Sequence, residues 1–384
     1  YFMKKKLLAV LSGILVFFIA IIGFKINMNT SISNNKSGIR NHRTYERYWS
    51  SETQNLILDE KTLPIFGSSE LVSLSNYNEE VGSFLNGEEM NIVTIGGGNF
   101  QSLSHAMSLG AMSKSIKAGK IALFLSPQWF TASGVDAMAF AARMSEDNLL
   151  HFLSNNKISS ENKEYVLNRT MELLSNSPTQ LKRVQKYHHA LNNKFSIDFL
   201  YTKIMTGYWN YRSEFEVYKQ LKTVDNNIPF YDLSNIDYNK MLELAEKQGE
   251  QSCTNNDFGI YDEYWDTYVK DSFEAGETMN KVQSYDVSVE YDDLRCFLNV
   301  AKELDLEVIL VSIPVNAKWY SYTGVLLDNY YQNIRNIAGE YDNIVFVDMS
   351  IYENEKYFLK DIMHLGWKGW TRINEALYKE FVGE

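Results

Sequence analysis

Five short apolar runs constrain this chain more than anything else in it. Leu63–Phe66, Met90–Ile95 and Lys120–Leu125 are each followed by Gly, Ser or Pro, and Leu306–Ile313 and Asn343–Val347 lie near the end. Their length and their apolar character on both faces predict strands. Helical patterns separate them, as over Ser104–Ala118 and Gly324–Tyr341. Alternating strands and helices of this kind imply a parallel sheet covered on both sides, a three-layer α/β/α fold of about five strands. Such sheets collect functional groups beyond the carboxyl ends of their strands.

Residues 132–292 have a different character, with long polar-amphipathic stretches, many tyrosines and no convincing strand. They read as a helical insertion within one α/β domain spanning residues 46–384. No internal repeat is visible. Hydrophobic residues make up 45% and charged residues 22% of the chain, which argues against a disordered chain and against a polytopic membrane protein.

Leu7–Phe24 carries no charge and, as a helix, spans about 27 Å, close to the thickness of a bilayer's hydrocarbon core. Lys4, Lys5 and Lys6 precede it. The positive-inside bias keeps this basic stub, residues 1–6, in the cytoplasm and puts the rest of the chain on the outer face. A cleaved secretory signal starts in the same way, but no small-x-small cleavage site follows, so a retained single-pass anchor is favoured. Residues 25–45, rich in Asn and Ser, read as a linker that lifts the domain off the membrane. Met3 reads as the initiator, with Tyr1 and Phe2 added ahead of it.

The two cysteines, Cys253 and Cys296, exclude a thiolate zinc cluster and leave two readings open, one bridge or two free thiols. The net charge of -11 and the lack of a basic cluster beyond the membrane-flanking lysines disfavour nucleic acid. Gly96-Gly97-Gly98-Asn99 is not a dinucleotide fingerprint, and no acidic residue follows at the required spacing. No cofactor and no metal is expected.

Four turns follow strands and carry candidate chemistry. Gly67-Ser68-Ser69-Glu70-Leu71 sets a serine on a strand-to-helix turn, where a nucleophile is exposed and its own amide can face an oxyanion. A plain Gly-Ser-Ser turn looks the same in isolation. Asp361-Ile362-Met363-His364 offers a base and, three residues earlier, a carboxylate to fix its tautomer. His105, without a neighbouring carboxylate, ranks below His364. The glycines of 96–98 let a backbone approach a bound group, and Ser126-Pro127-Gln128-Trp129 offers an amide donor and an aromatic wall. Together they supply every role of a serine triad at one sheet edge.

These motifs resemble the SGNH or GDSL hydrolase superfamily. Gly67-Ser68-Ser69 stands where that superfamily has Gly-Asp-Ser, which makes Ser69 the nucleophile, and Asp361 and His364 match its Asp-x-x-His. Its Gly-x-Asn block is replaced here by Ser126-Pro127-Gln128, so Gln128 or Asn99 is left as third oxyanion donor. More narrowly, the same motifs behind one anchor helix, with Asn256-Asp257-Phe258-Gly259, resemble the DltD family of D-alanyl transfer proteins. That resemblance implies D-alanyl transfer to lipoteichoic acid at the outer face of a Gram-positive membrane, alongside the membrane O-acyltransferase DltB.

The expected mechanism is acyl transfer through Ser69, with His364 as base oriented by Asp361. The amides of Ser69 and of Gly97 or Gly98 hold the oxyanion, and Trp129, Trp367 and Trp370 keep water out. An esterase or thioesterase with the same triad, and a non-catalytic module that binds teichoic acid or a carrier protein, are the alternatives.

Overall fold

The computed structural model describes residues 2–41, 49–71, 85–276, 285–325 and 327–383. Five parallel strands form one sheet: β1 (Thr62–Gly67), β2 (Asn91–Gly96), β3 (Lys120–Leu125), β4 (Glu307–Ser312) and β5 (Ile344–Asp348). They match the five apolar runs to within one or two residues at each end. Their order across the sheet is β2-β1-β3-β4-β5. The chain turns one way from β1 to β2 and the other way to β3, so a crevice opens at the carboxyl ends of β1 and β3, where doubly wound sheets place ligands.

Strand side chains alternate between two cores. Phe66, Val93, Ile95, Leu123 and Leu310 face one side, against α4 (Ser102–Met112) and α12 (Glu290–Glu303). Leu63, Ile65, Phe124, Ile309 and Val311 face the other, where Trp370, Ile373 and Leu377 of the last helix, α15 (Trp367–Val382), cover them.

At the other end of the chain, α1 (Phe2–Asn34) leads into α2 (Lys36–Asn41), and α3 (Ser51–Ile57) precedes β1. The stretch expected to be a linker is therefore helical as far as Asn41. Met28 and Ile32, four residues apart, are fully buried and give this part of α1 an apolar face for the domain, while the Asn and Ser residues take the other faces. Residues 42–45 of that expectation, His42 among them, and the domain boundary at 46 lie outside the described residues. The earlier, apolar part of α1 is long enough to cross a membrane, and its side chains are bare.

α1 packs beside α3, and Lys36, the first residue of α2, bonds Asp59 at 3.3 Å just before β1 begins. The α1–α2 segment thus ends near the amino end of β1.

Between β3 and β4 every described regular element is helical. These are α5 (Ala137–Arg143), α6 (Glu146–Ser154), α7 (Ser160–Leu173), α8 (Pro178–Asn192), α9 (Ile197–Gln220), α10 (Tyr238–Ser252) and α11 (residues 262–274, containing a π-helical segment Trp265–Val269), with short 3-10 turns between them. After β4 come α13 (Ala317–Thr323) and α14 (Asp328–Gly339), the latter being the helix expected over Gly324–Tyr341. Gly324 ends α13 in the left-handed conformation, at φ 74°, which is where helices commonly stop.

Candidate active site

The turn after β1 is a single turn of 3-10 helix, Ser69–Leu71, so Ser69 stands at its start, at the edge of the sheet. Its hydroxyl lies 3.0 Å from Nε2 of His364. Nδ1 of the same ring lies 2.8 Å from Oδ2 of Asp361. The buried carboxylate can only accept, so Nδ1 carries the proton and Nε2 presents its lone pair to the serine.

Asp361 is 1% exposed, and its other oxygen accepts the backbone amides of Met363 and His364 at 2.8 and 2.7 Å. The aspartate therefore folds the loop that carries its own partner. Two more residues brace that loop. The amide of Tyr261 donates to Lys360 O at 2.8 Å, and the amide of Asn316 donates to Ile362 O at 3.0 Å. Asn316 also donates from its side chain to Phe258 O at 2.8 Å. Through this bond the Asn256–Gly259 turn, itself tied by Asn256 to the amides of Phe258 and Ile260, reaches the histidine loop.

Burial works against a charged His364. The hydrogen bond and charge of Asp361, helped by the charge of Glu70, outweigh it, and the pKa of the ring is raised above its usual value. Glu70 is 2% exposed, and among the described residues no donor reaches either carboxyl oxygen in hydrogen-bond geometry. Burial pushes its pKa up to about 7, against the pull of nearby backbone amides and of His364. The motif around Ser69 contains Glu70, yet nothing in sequence spacing marks a glutamate in a turn as buried.

The turn after β2 meets the turn after β1 closely. Gly96 has φ 125°, and a Cβ there would lie 1.9 Å from Gly67 O, so only glycine fits. No hydrogen bond within the described residues occupies the amides of Ser69, Gly97 or Gly98. The amide of Asn99 is committed to the hydroxyl of Ser68 at 3.0 Å, which leaves Asn99 only its exposed side chain as a donor. Just beyond, Ser102 N donates to the buried Glu290 at 2.8 Å, so α12 caps the start of α4. Those two residues are 188 apart in sequence, and no local signal announces the pair.

After β3, Ser126 donates to Oε1 of Gln128 at 2.5 Å, while Nε2 of Gln128 is buried with no partner among the described residues. Trp129, expected as a wall, is turned inward and 1% exposed, its ring 5.9 Å from that of His105. Trp370 is likewise core, 2% exposed and 6.2 Å from Phe124 on the far side of the sheet. Trp367, half-buried at the start of α15, is the one of the three that is not core. His105 is fully buried, with its pKa pushed down to about 3 by burial, and has no carboxylate beside it. Cys253 and Cys296 are both free thiols. Among the described residues no group of His, Cys, Asp and Glu is arranged to hold a metal.

A family model described as DltD protein matches residues 43–382. The chain belongs to the DltD family. It is 28% identical over 343 residues to Protein DltD of Bacillus subtilis (strain 168), covering 84% of this chain and 83% of that one. It is 27% identical over 368 residues to Protein DltD of Staphylococcus aureus (strain NCTC 8325 / PS 47), covering 91% and 90%. A third DltD, from Lacticaseibacillus rhamnosus, is 25% identical over 344 residues, covering 84% and 78%. The DltD family belongs to the D-alanyl–lipoteichoic acid pathway.

Proposed function

We propose that the protein is a serine acyltransferase that moves D-alanine onto lipoteichoic acid through an acyl-enzyme at Ser69. The observation that carries this reading is the unbroken chain from Ser69 through His364 to Asp361, with contacts of 3.0 and 2.8 Å, in a member of the DltD family. His364 Nε2 takes the proton of Ser69 as its oxygen attacks the carbonyl carbon of an activated D-alanyl group. The resulting oxyanion is held by the amides of Ser69 and of Gly97 or Gly98, with the unpartnered amide of Gln128 as third donor. As the tetrahedral intermediate collapses, the leaving group departs with the proton from His364, and D-alanine remains esterified to Ser69.

A hydroxyl of the polyglycerol phosphate chain then gives its proton to His364 and attacks the ester. Collapse returns the proton to Ser69 and releases the D-alanyl ester of the polymer. The basic stub before the apolar half of α1 supports a cytoplasmic amino terminus, with the catalytic domain on the outer face of the cell membrane. The membrane O-acyltransferase DltB is the partner that family membership suggests for supplying the acyl group.

Intact mass of the full chain in detergent, after exposure to a serine-reactive fluorophosphonate, tests the nucleophile. Modification of the wild type, and not of Ser69→Ala or His364→Ala, is the expected result; an unmodified wild type would favour a binding module. An acyl donor supplied with and without a glycerol phosphate acceptor then separates transfer from hydrolysis. Free acid as the sole product would make the protein an esterase.

A further inference from the structure

α8 and α9 form a helical hairpin whose tip, Asn193–Ser196, carries Phe195 with its side chain wholly in solvent. Along α9, Ile197, Leu200, Ile204 and Tyr208 are 86%, 63%, 62% and 49% exposed. Their spacing of three and four residues puts them on one face of the helix. Farther along, Tyr211 and Phe215 continue that stripe and are covered by Phe24 of α1, with ring centroids 6.5 and 6.0 Å away. The same apolar face is thus packed against the anchor helix at one end and bare at the other.

The contacts also fix direction. Phe24 and Lys25 meet residues 210–218, with Lys25 bonded to Asn210 at 2.9 Å, and Asn35 meets Asn226 at 2.7 Å. α9 and α1 therefore advance together, and the part of α9 before Asn210 lies on the side of the membrane-crossing part of α1. That apolar part of α1 keeps its own side chains bare, so α9 leans away from it. A helix that leans away in this way turns the face it shared with α1 toward the lipid around α1.

The chemistry of the hairpin agrees. Residues 178–212 hold six Lys and Arg (Lys182, Arg183, Lys186, Lys194, Lys203, Arg212) against a single acid, Asp198, in a chain whose net charge is -11. Tyr208 and Tyr211 lie near the level of Phe24, where the apolar run of α1 ends. Amphipathic rings favour that depth, the membrane–water interface. An apolar stripe flanked by basic residues is the pattern of a helix that lies in the surface of an anionic bilayer.

We infer that the α8–α9 hairpin is a second membrane contact, with Phe195, Ile197, Leu200 and Ile204 inserted among the headgroups and upper acyl chains of an anionic leaflet. The helix between Ile197 and Tyr208 is roughly 17 Å long, so a tilt suffices to bring its bare face to an interfacial depth of about 5 to 10 Å. α1 crosses the membrane, while the hairpin lies on it and sets the tilt of the domain.

The test uses the full chain in a Cys253→Ser background, where the remaining Cys296 is buried, reconstituted into vesicles of phosphatidylglycerol and phosphatidylcholine. An environment-sensitive fluorophore is placed in turn at Ile14→Cys, Leu200→Cys and Met138→Cys, the last 75% exposed on α5. Lipids bearing a quencher high on the acyl chain are expected to quench positions 14 and 200 several-fold more than 138, and 200 more strongly as phosphatidylglycerol is increased. Quenching at 14 with none at 200 beyond that at 138 would overturn the inference and leave the stripe to a protein partner. Failure at position 14 would remove the anchor on which it rests.

Discussion

The hydroxyl of Ser68 accepts the backbone amide of Asn99 at 3.0 Å and lies 3.3 Å from the carbonyl of Gly97. One small side chain thereby ties the turn that carries Ser69 to the turn that carries the candidate oxyanion amides. Of the two adjacent serines, one is a structural tie and the other stands against the histidine. Ser68→Ala is expected to cost about 1 to 2 kcal/mol and to slow fluorophosphonate labelling of Ser69 without abolishing it. Denaturant unfolding and labelling rates measure the two effects, and an unchanged variant would show that the tie is dispensable.

Asp361→Asn should reduce the labelling rate roughly 10⁴-fold, because the ring loses the partner that selects its tautomer. Asp361 also holds the pKa of His364 up. The reactive ring is neutral, so the wild-type rate should rise with pH through a midpoint above that of an ordinary histidine. In the variant this midpoint moves down. A pH profile of labelling that keeps its midpoint after the substitution would contradict the assignment of Asp361.

Glu70 makes stability depend on pH. Its carboxyl ionises near 4.5 when unperturbed and near 7 in the fold, so between those values the folded state holds a proton that the unfolded chain has lost. Stability therefore falls as pH rises through that window, by on the order of 3 kcal/mol. Glu70→Gln has no proton to lose, and its melting temperature should gain on the wild type as pH goes from 4.5 to 7. Parallel curves for the two proteins would show that the wild-type carboxyl is not kept neutral.

The tryptophans should separate by readout. Trp129→Ala empties a core position and is expected to cost about 3 to 5 kcal/mol, seen in thermal unfolding. Trp367→Ala should cost less stability and, on the proposed acyl transfer, raise hydrolysis relative to transfer, because Trp367 is only half-buried and begins the helix that follows the His364 loop. Equal stability losses in the two variants would place Trp367 in the core as well.

The sheet was legible because its strands are buried on both faces and end in turn residues, a pattern that few helices imitate. That Ser69, His364 and Asp361 meet was legible for a related reason: the strand ends fix where side chains converge, and a carboxylate three residues before a histidine can reach its ring. Side-chain direction was not. The 3-10 turn Pro127–Trp129 points an aromatic residue inward, where a step of one residue would have pointed it out. The helix through residues 25–34 was hidden because its two fully buried side chains, Met28 and Ile32, are scattered among polar residues whose composition resembles a tether. Glu70 and Glu290 were silent because burial of an acid depends on partners far along the chain.

The unbroken passage of α1 from its bare half into its buried half sets a working distance. A flexible tether would let the domain sweep a volume and meet acceptor groups at any depth of the cell wall. On the proposed crossing of the membrane by its bare half, a stiff helix instead holds the domain at one height above the bilayer. On the proposed transfer to lipoteichoic acid, polymer units far from their lipid end would then have to be brought down to Ser69, and the first esters are expected on the units nearest the membrane.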